Sequence, residues 1–198
     1  MTSPAPLDRV WTVPNMLSAL RLLLAFILFA AIERSAWPAA LGLFLVAAST
    51  DWVDGWWARR FGQVSRLGRI FDPLVDKVIV CGAFVLLADR AGSAIVPWMA
   101  LVVVVRELVV TAVRAEMERA GRDFSAALSG KLKMLLQCAA IALELAARAG
   151  VAPDPDGIGL TSLAACCAWA AVLATVWSGL EYLIAARGLL GAGDERRP

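Results

Sequence analysis

The sequence predicts an all-α integral membrane protein built as a bundle of six transmembrane helices. The first observation is composition: 60% of the 198 residues are hydrophobic and only 18% are charged. The second is a mean hydropathy of +0.71. A typical globular domain is about 45–50% apolar and about a quarter charged. A chain of this length cannot hide so much apolar surface in one soluble core, so we expect lipid around it.

The third observation is the spacing of the apolar segments along the chain. A transmembrane helix needs roughly 20 mostly apolar residues, and the windows that reach this length are 14–33, 37–58, 70–89, 94–117, 127–148 and 160–186. We therefore expect one membrane domain over 14–186, with a cytoplasmic arm at 1–13 and a cytoplasmic tail at 187–198. The arm lacks the basic start and cleavage site of a secretory signal, so we expect the first helix to be retained.

The basic residues predict the orientation of the bundle, because Lys and Arg accumulate on the cytoplasmic side of a membrane. With the amino terminus inside, the two larger basic connections, after the second and fourth helices, face the cytoplasm. The opposite side then receives only Arg34, Arg90 and Arg148. An even number of spans returns the carboxyl terminus to the cytoplasm. We expect a multi-pass protein of the inner cell membrane whose site opens to the cytoplasm.

Composition also restricts the chemistry. The chain has no histidine, which excludes Ser-His and Cys-His catalysis and His-containing metal sites. The four cysteines lie in apolar segments without paired CxxC spacing, so we expect small buried side chains rather than disulfides or zinc ligands; they are Cys81, Cys138, Cys166 and Cys167. Catalysis must use Asp, Glu, Lys, Arg or Ser.

Four aspartates interrupt the second and third apolar windows, in the segment DWVDGWWARRFGQVSRLGRIFDPLVDK. Asp51 and Asp54 are three residues apart and Asp72 and Asp76 are four apart, so each pair lies on one face of a helix. A single Asp at mid-bilayer costs about 2.5–3.5 kcal/mol. Because the connection between the two helices is short, we expect both acidic faces to meet near the cytoplasmic interface.

Converging carboxylates require cations, and oxygen ligands without His or Cys select Mg²⁺, Mn²⁺ or Ca²⁺ over zinc. Two divalent ions would balance four aspartates, and such a pair suits displacement at phosphorus. Gly55 lets a ligand approach the backbone, and Arg59 lies one turn further on, within reach of a phosphate. The alternative is salt bridging without metal, to Arg59, Arg66, Arg69 and Lys77.

This acidic segment resembles the CDP-alcohol phosphatidyltransferase family, whose signature is D-x2-D-G-x2-A-R-x8-G-x3-D-x3-D. Every specified position of the signature is met between residues 51 and 76, by Asp51, Asp54, Gly55, Ala58, Arg59, Gly68, Asp72 and Asp76. A shorter match, VPNMLSALR, looks like the family's PN-x2-[ST]-x2-R opening and contains Pro14, Asn15, Ser18 and Arg21.

The resemblance implies a six-helix membrane enzyme, usually a homodimer, that transfers a substituted phosphoryl group from a CDP-linked donor to an alcohol and releases CMP. By position, Asp51, Asp54, Asp72 and Asp76 would bind two Mg²⁺ or Mn²⁺ ions, and Asp76 would also be the general base. The residues that would contact the CDP-lipid are Pro14, Asn15, Ser18, Gly55, Arg59, Ser65 and Gly68. Capping of the first helix is an alternative role for Asn15.

The segments VRELVVTAVR and SGKLKMLLQ are similar to the bacterial branch of the family whose donor is CDP-diacylglycerol and whose acceptor is sn-glycerol 3-phosphate. An intramembrane arginine is a functional candidate, so we expect Arg106, Arg114 and Lys131 to bind the acceptor phosphate. Alternatively, Arg106 pairs with Glu107 or another acid, and Lys131 and Lys133 only set the topology.

Other readings of function stay open at this point. The acceptor alcohol could instead be phosphatidylglycerol, inositol phosphate or serine. A hypothesis from a different class is a small cation transporter that uses the aspartates as its ion site, although the sequence shows neither an inverted repeat nor a pair of broken spans. The expected partners are the two substrates, membrane lipid and a second copy of the chain, and no nucleic acid.

Overall fold

The computed structural model describes the backbone at residues 13–61, 66–119, 128–152 and 159–194, and the side chains at 16–50, 73–117, 129–152 and 159–187. This part of the chain contains helices and turns and no strand. The helices are α1 (Val13–Glu33), α2 (Trp37–Phe61), α3 (Arg66–Ala88), α4 (Pro97–Arg119), α5 (Leu128–Arg148) and α6 (Leu160–Asp194). The all-α prediction is confirmed, and α6 continues beyond the apolar window that ends at residue 186.

The helices form two compact units, Met1–Leu86 and Leu87–Pro198. In the first unit, α1 packs on α2. The turn between them closes α1 with a pair of backbone hydrogen bonds, from Ser35 to the carbonyl of Ile32 and from Ala36 to that of Ala31. This is the Schellman arrangement, and its left-handed position, φ 54°, is held by Ser35 rather than by glycine.

Helix α3 approaches α1 closely within the same unit, at Gly82. A β-carbon at this position would lie 2.7 Å from Cε1 of the Phe29 ring. No side chain larger than hydrogen fits there unless the ring moves. Leu28 of α1 and Phe84 of α3 are completely buried, so the contact belongs to the packed interior of this unit.

In the second unit, both α5 and α4 pack on α6. Alanines supply much of the buried surface of α6, and Ala164, Ala168 and Ala171 are completely inaccessible. Small residues allow helices to approach closely, which is how helices associate in membranes. Helix α5 ends in a second Schellman turn, in which Gly150 takes the left-handed conformation at φ 66°.

Large apolar side chains cover the outer surface of the helices. Leu108, Leu173 and Ile184 are exposed by 66%, 66% and 71%, a surface that suits lipid better than water. Among the described residues, two helices are long and apolar enough to cross a membrane, at Met16–Glu33 and Leu160–Arg187, and a shorter apolar helix covers Trp37–Thr50. Membrane crossing by the six helices stays a prediction.

All four cysteines are free in the structure. The expectation that they are buried is wrong. Cys166 is exposed, and Cys81, Cys138 and Cys167 are half-buried. Periodicity could not show this, because an apolar helix in lipid places small apolar residues on its outer face as readily as on its inner one.

Candidate active site

A buried arginine joins the two motifs of the first unit. Arg21 of α1 is 1% exposed, and its Nη1 lies 2.7 Å from Oδ1 of Asp76 on α3. Ser18, three residues before Arg21 and therefore on the same side of α1, is also 1% exposed. The side chain of Asp76 is 24% exposed. The opening segment of α1 is thus in direct contact with the last aspartate of the acidic segment, 55 residues away.

The remaining aspartates lie in helical backbone whose side chains are outside the described residues. Asp51 and Asp54 fall within α2, and Asp72 lies near the start of α3. The side chains of Pro14, Asn15, Gly55, Arg59 and Gly68 are also outside the described part, and Ser65 lies outside it altogether. Convergence of the acidic side chains stays a prediction. Where side chains are described, no group of three or more His, Cys, Asp or Glu side chains lies together.

In α2, the hydroxyl groups that come just before the acidic segment donate hydrogen bonds to backbone carbonyls of the same helix. Ser49 donates to the carbonyl of Leu45 at 2.7 Å, and Thr50 donates to that of Ala47 at 2.8 Å. Such bonds let hydroxyl side chains lie in an apolar helix without another partner. In α3, Pro73 follows Asp72 directly and removes one backbone donor from the helix.

A second polar site, the basic cluster, lies inside the second unit. We define it as Arg106, Glu107, Arg114, Lys133, Ser178 and Tyr182. Nη1 of Arg106 donates to Oε1 of Glu107 at 3.0 Å, and Nη2 donates to Oγ of Ser178 at 3.0 Å. Lys133 forms an ion pair with the same carboxylate. The cluster therefore connects α4 with both α5 and α6.

Tyr182 completes the basic cluster on α6. The Arg114 Nη2 and the Tyr182 hydroxyl oxygen lie 2.5 Å apart. The guanidinium carbons of Arg106 and Arg114 lie 5.7 and 5.6 Å from the centroid of the same ring, within cation–π distance. Tyr182 is 4% exposed, so the ring is buried beside both cations.

The structure brings two of the three residues of the expected acceptor site together, and acceptor binding by Arg106, Arg114 and Lys131 stays a prediction. Arg106 and Arg114 lie together against Tyr182, whereas Lys131 is exposed and has no described contact with them. Lys133, two residues later, is buried at 6% exposure and pairs with Glu107. Pairing of Arg106 with Glu107 was the alternative reading, and the structure contains it.

Lys133, Ser178 and Tyr182 are not among the site residues that the sequence predicts. Position 182 carries the single tyrosine of the chain, and a polar ring within an apolar helix is a usable signal, since a buried hydroxyl needs a partner. A neighbouring bond between Gln137 and Thr175, 2.9 Å long, joins the buried faces of α5 and α6. Both residues are at most 1% exposed.

Comparison with known proteins decides the family. Residues 11–177 match the family described as CDP-alcohol phosphatidyltransferase. The chain belongs to the CDP-alcohol phosphatidyltransferase family. The resemblance predicted from the acidic segment is thereby confirmed, and so is the prediction of a transferase that acts in phospholipid synthesis.

Three similar relatives, from Escherichia coli, Salmonella choleraesuis and Shigella flexneri, are each named CDP-diacylglycerol–glycerol-3-phosphate 3-phosphatidyltransferase. Each is 36% identical to this chain over 183 residues. The aligned region covers 89% of this chain for the first and third relatives and 90% for the second, and 96% of each relative. The similarity to these family members thus extends over nearly their whole length.

Proposed function

We propose that this chain transfers a phosphatidyl group from CDP-diacylglycerol to sn-glycerol 3-phosphate, giving phosphatidylglycerophosphate and CMP. The names of the relatives support both substrates. The structural observation that supports the acceptor is the charge of the basic cluster. Three cations, Arg106, Arg114 and Lys133, face one carboxylate, Glu107, which leaves a net formal charge of +2.

Positive charge that is partly removed from water is costly unless an anion binds to it. Arg114 is half-buried and contributes most to this argument, because its described partner is a neutral tyrosine and no described carboxylate pairs with it. A phosphate monoester brings about two negative charges and planar arginines bind such oxygens well. Serine and phosphatidylglycerol lack a phosphate monoester. Inositol phosphate carries the same group as glycerol 3-phosphate, and between these two the names of the relatives favour glycerol 3-phosphate.

The acidic segment supplies the catalytic part of the proposal. Asp51, Asp54, Asp72 and Asp76 would hold Mg²⁺ or Mn²⁺, and a donor set made only of carboxylates fits these oxygen-seeking ions. When bound, the ions supply positive charge that stabilises the donor pyrophosphate and the departing phosphate.

Asp76 would take the proton from the acceptor hydroxyl. The resulting oxygen attacks the phosphorus that carries diacylglycerol, the bond from this phosphorus to the bridging oxygen breaks, and CMP leaves with that oxygen. Arg21 fixes one oxygen of Asp76 through the 2.7 Å contact, which orients the base. Ser18, Gly55 and Arg59 would bind the donor nucleotide, together with Pro14, Asn15, Ser65 and Gly68.

We further propose that the protein is a homodimer that spans the inner membrane six times, with both termini and the site on the cytoplasmic side. The apolar outer surface of the helices supports the membrane location. The transferase family membership removes the reason to keep a cation transporter as an alternative.

The deciding experiment incubates the purified protein with CDP-diacylglycerol and with Mg²⁺ or Mn²⁺. Each of four alcohols is then tested as the acceptor: glycerol 3-phosphate, inositol phosphate, serine and phosphatidylglycerol. We expect a new lipid and CMP with glycerol 3-phosphate and no product after EDTA treatment. Asp76→Asn should abolish CMP release while the melting temperature stays within a few degrees. Conversion of a different alcohol in preference to glycerol 3-phosphate would refute the proposed acceptor.

A further inference from the structure

Tyr182 lies where it can determine the positions of both cluster arginines. Arg106 and Arg114 are eight residues apart on α4, about 12 Å along the helix axis at 1.5 Å per residue. Both nevertheless contact one ring. The sum of the two distances to its centroid limits the separation of their guanidinium carbons to about 11 Å. The arginines therefore lie on the same side of α4, facing α6.

Tyr182 contacts the cluster arginines in two ways. Its hydroxyl is hydrogen-bonded to Arg114 at 2.5 Å, and its ring attracts both guanidinium groups. Ser178, one turn earlier on α6, accepts from Arg106 and donates to the carbonyl of Thr175 at 3.1 Å. Gly179 leaves room for the stem of Arg106, because a β-carbon there would lie 3.2 Å from its Cγ. One face of α6 is thus fitted to the arginines.

Holding an arginine in place matters because each flexible side chain that a ligand must immobilise costs about 0.5–1.5 kcal/mol of binding free energy. A side chain already fixed by the fold avoids this cost. We propose that Tyr182 is a positioning residue that holds Arg106 and Arg114 together as one binding site for the phosphate of the acceptor. This inference rests on the proposed function, since it takes glycerol 3-phosphate to be the acceptor.

The test compares steady-state kinetics of the purified full chain and three variants, each with the two substrates varied in turn. Tyr182→Leu removes both the hydroxyl and the ring, and we expect KM for glycerol 3-phosphate to rise about tenfold, equivalent to about 1.4 kcal/mol. Tyr182→Phe keeps the ring and loses the hydroxyl that is bonded to Arg114, so its KM should rise about threefold. In both, kcat and KM for CDP-diacylglycerol should stay within twofold of the unsubstituted protein.

The matched control is Trp177→Leu. Trp177 is an aromatic residue on the same helix, 65% exposed and bonded to Glu181 rather than to the cluster. The Trp177→Leu substitution should leave both KM values unchanged. The second readout is competitive inhibition by inorganic phosphate, whose Ki should rise in the order Phe, then Leu, as KM does. A role limited to stability would lower the active fraction and kcat without this order.

The inference is overturned if Tyr182→Leu changes KM for glycerol 3-phosphate less than twofold, or if KM for CDP-diacylglycerol rises equally. It is also overturned if the Phe variant is as impaired as the Leu variant, because the ring would then contribute nothing. Failure of the proposed function is distinguishable from these outcomes, because the unsubstituted protein would then not convert glycerol 3-phosphate.

Discussion

Glu107 is the only carboxylate described in the basic cluster, and Glu107→Gln tests how much the fold depends on it. The substitution keeps the size of the side chain and removes its charge. Arg106 and Lys133 then keep their positive charges in an interior where their side chains are 10% and 8% exposed. Removing one partner of a buried ion pair costs about 3–5 kcal/mol. At about 2–4 °C per kcal/mol for a chain of this size, the apparent melting temperature should fall by about 10 °C.

The assay is thermal unfolding in detergent micelles, followed by the fluorescence of the chain's eight tryptophans. Lys133→Met is the second substitution of a double-mutant cycle with Glu107→Gln. It removes one of the two cations that would otherwise lack a partner carboxylate, and it keeps a similar apolar stem. The double variant Glu107→Gln, Lys133→Met should lose less stability than the two single losses combined. A fall of less than about 2 °C for Glu107→Gln, or strictly additive losses, would refute the view that these charges stabilise one another.

Three other predictions concern the rest of the molecule. Arg21→Lys keeps the charge beside Asp76 but loses the planar fork of donors, so kcat should fall about tenfold with both KM values within twofold; an unchanged kcat would contradict the orienting role. Gly82→Val should lower the melting temperature by several degrees, since its branches meet the Phe29 ring and overpacking costs about 1–3 kcal/mol; a melting temperature equal to that of the unsubstituted protein would show that the ring moves freely. Glu144→Gln should speed amide hydrogen exchange across residues 89–96, because this 2% exposed carboxylate accepts a hydrogen bond from the backbone N–H of Ala94 in that turn. Unchanged exchange would show that the carboxylate does not stabilise the turn.

Helix positions and family membership could be predicted from the sequence because each rests on local features. An apolar run of about 20 residues has to form a helix in lipid, where every backbone group must be paired within its own segment. The windows at 14–33 and 37–58 accordingly coincide with the starts of α1 and α2 to within one residue. The acidic segment is equally local, because its chemistry depends on residue types and on spacings within 51–76.

Side-chain partners across helices could not be predicted in the same way. Which side of a helix faces its neighbour depends on rotation about the helix axis, and the apolar pattern does not reveal this rotation when lipid surrounds the bundle. For this reason the sequence predicts Lys131 in the acceptor site, although Lys133 is the buried lysine. The contacts of Arg21 with Asp76 and of Arg114 with Tyr182 join residues 55 and 68 positions apart. The amino-acid sequence determined which chemical groups this protein carries and on which helices, whereas tertiary packing alone decided which of them meet, because only packing sets the rotation of each helix.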